Sequence, residues 1–180
     1  GIDAAHTEAV RALALDGATG KKLDLPGSLK ARVEYGFLVL GRAPSPKAPT
    51  AAVELHVPGE TDLPPWGVAV RSWLTDERPV RWPDGRSVCV LDADRVTLPL
   101  RARRWRTGDR FRPLGMARQK KVGDFFTDEK VSQRKRGDVP LVVDDAGVVC
   151  WIVGHRIDDR PKVTSRSSRY LWLSIQGGTT

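Results

Sequence analysis

The chain reads as an α+β protein with an N-terminal helix, a strand meander, and then a mostly antiparallel sheet domain with short inserted helices. Three observations predict this. An Ala- and Leu-rich stretch near the start has helical composition with start and stop signals. From Gly20 the apolar period changes to two, the period of half-buried strands. Late in the chain, two apolar runs flank an Asp-Asp-Ala-Gly turn, as in a hairpin.

Residues 4–16 (AAHTEAVRALALD) form the predicted helix. Asp3 can cap its start and Gly17 suits its stop, while Ala9, Val10 and Leu13 make one apolar face. Leu23, Leu25, Leu29, Ala31, Val33, Phe37 and Val39 then alternate with polar residues. Pro26-Gly27 and Tyr35-Gly36 punctuate them, giving a short antiparallel meander. Residues 43–50 (APSPKAPT) hold three prolines and read as a linker or exposed loop. Residues 51–57 and 67–74 are predicted strands, separated by Pro58-Gly59 and Pro64-Pro65. Pro83-Asp84-Gly85 is a turn, and 87–91 and 96–103 are two further strands. Residues 120–127 are predicted as a short helix with Val122, Phe125 and Phe126 on one side, followed by a helical turn at 132–136. Residues 141–143 and 148–153 make the hairpin, and 170–175 the last strand, where Leu171, Leu173 and Ile175 alternate.

The 180 residues suffice for one ordinary domain or two small ones. A hydrophobic fraction of 40% with six tryptophans supplies a real core and argues against global disorder. No apolar run approaches the roughly 20 residues that span a bilayer. The first residues, GIDAAHTEAV, lack the basic start and apolar stretch of a secretory signal. Cys89 and Cys150 lie far apart in no metal-spaced pattern; free buried thiols in a reducing cytosol fit better than a disulfide, though the sequence leaves both open. His6, His56 and His155 are scattered, without ligand or triad spacing. The acidic pairs Asp92/Asp94 and Asp158/Asp159 are read as turn or ion-pair residues. No constellation capable of catalysis or of holding a metal emerges.

Charge is the most informative feature. Residues 101–136 carry 13 Lys/Arg against 4 Asp/Glu, a net +9, whereas the whole chain is +8, so the basicity is local. A local cationic face calls for an anionic partner, most often a phosphate backbone. Each motif within it has a plainer reading. The loop at 106–115 (RTGDRFRPLG) can fork guanidinium groups onto phosphates, or it can be a solvated basic loop whose Asp109 pairs with a neighbouring Arg. Lys120 and Lys121, at the start of the predicted helix, can hold an anion together with the helix N-terminus, or point into water. Phe125, Phe126 and most tryptophans read as core. Trp105, inside the Arg cluster, can be an Arg-stacked anchor or a platform for a base.

Four ordered submotifs carry a family resemblance: R-x-G-D-R-F-x-P-L-G-M from Arg106, K-K-V-x-D-F-F-x-D-x-K-V from Lys120, R-x-x-x-P-L-V-V-D from Arg136, and W-I-V-G-x-R-I-D-x-R from Trp151. Together they resemble the C-terminal domain of bacterial tRNA(Ile)-lysidine synthetase. Upstream, G-K-K-L-D-L-P-G-S-L from Gly20 and E-Y-G-F-L-V-L from Glu34 are similar to the stretch joining that enzyme's helical region to its C-terminal domain. Thr107, Ser132 and Ala117-Arg118-Gln119 depart from the family pattern and alter loop stiffness more than charge.

The resemblance implies three segments. Residues 1–42 would be the end of a helical substrate-recognition region and a connecting meander. Residues 43–85 would be a Pro-rich insertion with short strands, and 86–180 the basic tRNA-binding domain. It also implies a fold similar to a domain of the phenylalanyl-tRNA synthetase β subunit. The parent enzyme is an ATP-dependent cytoplasmic ligase that joins lysine to the wobble cytidine of a CAU-anticodon isoleucine tRNA, with a homodimer left open. Its ATP and Mg²⁺ belong to an N-terminal domain whose Ser-Gly-Gly-x-Asp-Ser loop is absent from these 180 residues. This chain is then expected to be inactive alone and to hold the acceptor stem. The expected tRNA-backbone contacts are Arg103, Arg104, Arg106, Arg110, Arg112, Lys120, Lys121, Lys130, Arg134 and Arg136. The alternatives are a nucleic-acid module of another family, such as a barrel binding single strands, or a module turning its basic face to an acidic protein.

Overall fold

The computed structural model describes residues 4–16, 21–26, 29–34, 37–42 and 51–177. The expected cap Asp3, the stop at Gly17, the turns at Gly27 and Tyr35-Gly36, and the Pro-rich loop 43–50 lie outside the described residues. The chain divides into two compact units, Gly1–Ala48 and Pro49–Thr180.

In the first unit, α1 (Ala4–Asp16) lies against a three-stranded antiparallel sheet of β1 (Lys22–Leu25), β2 (Leu29–Glu34) and β3 (Phe37–Arg42), in that order. Register pairs Leu23 with Ala31 and Val33 with Leu38. Leu25, Ala31 and Val33 are buried, as the period-two pattern requires.

The second unit contains two stacked sheets and a third, basic layer. One sheet has the order β13-β12-β11-β8-β4, built from β4 (Val53–Glu54), β8 (Arg101–Arg103), β11 (Leu141–Val143), β12 (Val149–Ile152) and β13 (Arg156–Ile157). The other has the order β5-β6-β14-β7, built from β5 (Gly59–Leu63), β6 (Val68–Thr75), β7 (Val88–Asp92) and β14 (Tyr170–Gln176). Between them lies a core including Leu63, Val70, Leu91, Leu100, Trp151 and Leu173. A register irregularity opposite Val142/Val143 turns both Cys150 and Trp151 toward this core, while Val149 and Ile152 face the other way.

On that other face sits the third layer, α2 (Val122–Asp128) and the ribbon of β9 (Arg110–Phe111) with β10 (Lys120–Lys121). Phe111, Val122, Phe125 and Phe126 pack there on Leu141, Val143, Val149 and Ile152. The hairpin turn is as expected: Gly147 adopts φ +82°, and Asp144 accepts the Val148 N–H at 2.7 Å through Oδ1. Both cysteines are buried and unbridged.

Several elements differ from the sequence reading. Residues 53–75, expected in an inserted segment, place β4, β5 and β6 within the two sheets, beside β8 and β14. β5 occupies what read as a break, because its polar sequence GETDL buries only Thr61 and Leu63 at a sheet edge. The strand expected over 96–103 shortens to β8. A 3-10 turn at Ala93–Arg95, capped by Asp92, precedes it, and Pro99 supplies no ladder N–H. The helix expected from residue 120 starts at Val122, because Lys120 and Lys121 pair with Phe111 and Arg110. The helical turn expected at 132–136 is a hydrogen-bonded turn from Ser132 leading into a 3-10 turn at Arg136–Asp138.

Candidate nucleic-acid interface

The basic run folds around α2. Trp105 packs edge-on to Phe126, with ring centroids 5.9 Å apart, and lies over Gly123. Of its two sequence readings, neither the Arg-stacked anchor nor the open base platform describes this half-buried ring; it belongs to the core beside α2. The Asp109 carbonyl accepts the Val122 N–H at 2.9 Å, tying loop 104–109 to the start of α2. Arg136 reaches back from the far side. Its Nε donates to the Val131 carbonyl at 3.1 Å, one Nη to Thr127 Oγ1 at 2.9 Å, and its guanidinium lies over the Phe126 ring.

This arrangement sorts the ten expected contacts. Arg103 makes a two-pronged pair with Asp109 at 2.8 and 2.9 Å, and the two side chains are only 14% and 13% exposed. Burial alone would raise the Asp109 carboxyl, but the Arg103 guanidinium and the Arg106 N–H bring it below its ordinary 3.8. Lys120 pairs with Asp128. Arg104 runs over Gly137. Arg112 is half-buried: its backbone N–H donates to Asp158 Oδ2 at 2.7 Å, and its side-chain Nε is buried without a hydrogen-bond partner among the described residues. The side chains of Arg103, Arg104, Lys120 and Arg136 thus help to hold the fold together, and at Arg112 it is the backbone that does so.

Arg106, Arg110, Lys121, Lys130 and Arg134 are exposed and, among the described residues, none of their side chains makes a hydrogen bond or ion pair. Arg118 and Lys135 share this state. Neither was in the expected set, although both sit in the same charge run, which was the signal that could have included them.

The ribbon concentrates this charge. Arg110 and Lys121 are directly opposite in register, and both are exposed. Like charges facing each other across a strand pair are destabilising, and an anion bridging them removes that cost. Of the two readings of Lys120 and Lys121, an anion held by both lysines and the helix N-terminus or two solvated side chains, neither describes the start of α2. The helix has seven residues, Lys120 turns to Asp128, and the Val122 N–H is taken by Asp109.

Behind the ribbon, Asp158 is fully buried and accepts four bonds: the Arg112 and Arg160 N–H groups, each at 2.7 Å, and Arg160 Nε and Nη at 2.9 and 2.8 Å. Asp159 pairs with Lys162 and accepts the Gly115 N–H at 3.0 Å. These are the local ion pairs expected for the acidic pair, and they fasten the basic loop to β13.

A family model described as the TilS substrate C-terminal domain matches residues 100–172, the span containing this layer. The tRNA(Ile)-lysidine synthase of Caldanaerobacter subterraneus subsp. tengcongensis is 31% identical over 95% of this chain and 36% of its own length. That of Symbiobacterium thermophilum is 38% identical over 88% and 34%. A crystal structure of a TilS C-terminal domain superposes with a TM-score of 0.63 and 31% identity, covering 72% of this chain and 98% of that one. The chain belongs to the tRNA(Ile)-lysidine synthase family. It corresponds to the C-terminal part of the synthase and spans about a third of the length of the curated relatives it matches. The mostly antiparallel α+β fold agrees with that of the solved synthase domain. An N-terminal fragment of the phenylalanyl-tRNA synthetase β subunit from Pyrococcus horikoshii superposes with a TM-score of 0.42 at 17% identity, over 52% of this chain and 29% of that one.

Proposed function

We propose that this chain docks the acceptor stem of an isoleucine tRNA with a CAU anticodon, so that a separate catalytic domain of the synthase can join lysine to the wobble cytidine in an ATP-dependent reaction. The observation that carries the reading is the ribbon: Arg110 and Lys121 face one another, exposed, with no carboxylate between them. Arg118, Lys130, Arg134 and Lys135, exposed and without an ion pair among the described residues, extend this charge, and Arg106 adds to it beside Asp109.

An A-form stem offers phosphates and 2′-hydroxyls but a major groove too narrow for side chains to read. Guanidinium and ammonium groups on a rigid support suit such a partner, because phosphate contacts position a duplex without reading its sequence. The aromatic residues of this layer support a duplex over a single strand. Phe111, Phe125 and Phe126 are buried, and Trp105 is half-buried against Phe126, so no run of open rings is presented for successive bases to stack on. ATP and Mg²⁺ belong, on this reading, to the catalytic domain. Among the described residues no three His, Cys, Asp or Glu side chains converge as metal ligands, and the chain has no Ser-Gly-Gly-x-Asp-Ser loop. As part of a tRNA-modifying synthase, the protein is placed by this reading in the cytoplasm, with ligation left to the catalytic domain.

The test is competition. A labelled acceptor-stem minihelix bound to the chain is displaced by isoleucine tRNA and resists a single strand of equal length. Displacement by the single strand as readily as by tRNA overturns the duplex-docking reading.

A further inference from the structure

A cavity of about 270 Å³ opens beside the basic layer, and nothing above uses it. Its walls are largely apolar: Trp82, Pro83, Val90, Leu114, Ile157 and Val163. Leu114 comes from the basic run itself, between Arg112 and Arg118, and its N–H is fixed to the Ile157 carbonyl at 3.1 Å. The cavity therefore adjoins the segment that carries the exposed cations.

The opposite rim is the turn at Trp82–Gly85, which is firmly held. Asp84 Oδ1 accepts the Arg86 and Ser87 N–H groups at 2.7 and 3.0 Å, and the Gly85 carbonyl accepts Trp151 Nε1 at 3.0 Å. Trp82 is 55% exposed, with the Arg78 guanidinium 5.9 Å from its ring centroid. Arg81 and Arg86 flank the turn, both exposed, and Lys162 lines the cavity, paired with Asp159. The one carboxylate in the wall, Asp84, is turned into its own backbone.

A rigid apolar slot with an exposed indole at its lip and exposed arginines on the turn that forms its rim suits a planar aromatic ring attached to phosphate. We propose that this cavity receives an unpaired nucleobase at the end of the RNA stem held on the basic layer, stacked on Trp82 and enclosed by Leu114 and Val90. The inference rests on the stem-docking reading above and adds a second, base-holding point to it. The stem would be positioned by its phosphates, and its unpaired end by stacking.

The test uses the whole chain and three labelled minihelices: blunt, with an unpaired 3′ extension, and with the same extension made abasic. The extended helix is expected to bind about tenfold more tightly than the blunt one, the size of one base–aromatic stack. The abasic extension, which keeps the phosphates, should bind like the blunt helix. Trp82→Ala and, separately, Leu114→Gln should abolish the gain while leaving the blunt-helix affinity unchanged. Both positions are partly exposed, and circular dichroism melts check that each variant folds. Equal binding of the blunt and extended helices by the wild type overturns the cavity proposal and leaves stem docking standing. A gain retained with the abasic extension or in both variants also overturns it. Failure to bind any of the three overturns both readings.

Discussion

Arg110 and Lys121 stand directly opposite each other on the β9–β10 ribbon, exposed and without a carboxylate partner among the described residues, while the adjacent Lys120 is paired with Asp128. Two neighbouring lysines thus have different tasks. Lys121→Ala is expected to weaken RNA binding and lower the slope of log affinity against log salt by about 0.7–0.9. Lys120→Ala is expected to leave that slope nearly unchanged and to loosen the start of α2 instead. A salt titration of both variants checks this, and equal slope changes would contradict the division of roles.

The Arg103–Asp109 pair should act on stability. Replacing Asp109 with Asn removes the charge that faces a largely buried guanidinium and sets an amide NH2 against one of its donors, while the amide oxygen can still accept the Arg106 N–H. The expected loss is about 1–3 kcal/mol, read from urea denaturation. The folded carboxyl titrates below its ordinary 3.8, so the unfolded chain takes up the proton first. The stabilisation is therefore full above that value and disappears as pH falls through the lower folded value. In Asp109→Asn this acid-range component should be absent.

Asp158 is a stronger anchor. It is fully buried, and Asp158→Ala would leave Arg160 and the Arg112 N–H without their acceptor. About 3 kcal/mol of lost stability is expected, tempered by the partial exposure of Arg160. Hydrogen exchange should localise the opening to residues 112–115 and 157–160. A variant as stable as the wild type would show that these bonds do not hold the basic loop.

His155 lies against Phe125 and Phe126, ring centroids 6.1 Å away in each case. Burial pushes its imidazole below the ordinary 6.5, with nearby Arg86 adding to that and Glu129 opposing it. The unfolded chain then binds this proton more tightly than the fold does, so stability is full above about pH 6.5 and declines as pH falls below it. His155→Gln should flatten that part of the profile in thermal melts taken across the range.

What the sequence made legible follows from how local the cause is. The hairpin of β11 and β12 was readable because Asp144 and Gly147 dictate its turn within four residues. The helix α1, the meander and β14 were readable from their periods. β5 was not, since Gly59–Leu63 is polar and becomes a strand only by pairing with β6. The ribbon was hidden for the same reason: Lys120 and Lys121 meet Phe111 and Arg110 across an intervening loop. At the candidate interface, the charge excess was plain in the sequence, but its division was not. The pairing of Asp109 with a neighbouring Arg was among the sequence readings, but nothing in RARRWRTGDR tells that the partner is Arg103 while Arg106 stays exposed.

The most direct measurement compares two minihelices cut from the same isoleucine tRNA, one the acceptor stem and one the anticodon arm, bound to this chain at one salt concentration. Acceptor-stem docking predicts clearly tighter binding of the first, with the preference lost when Arg110 and Lys121 are both replaced by Ala. Equal binding of the two arms, or tighter binding of the anticodon arm, would contradict it.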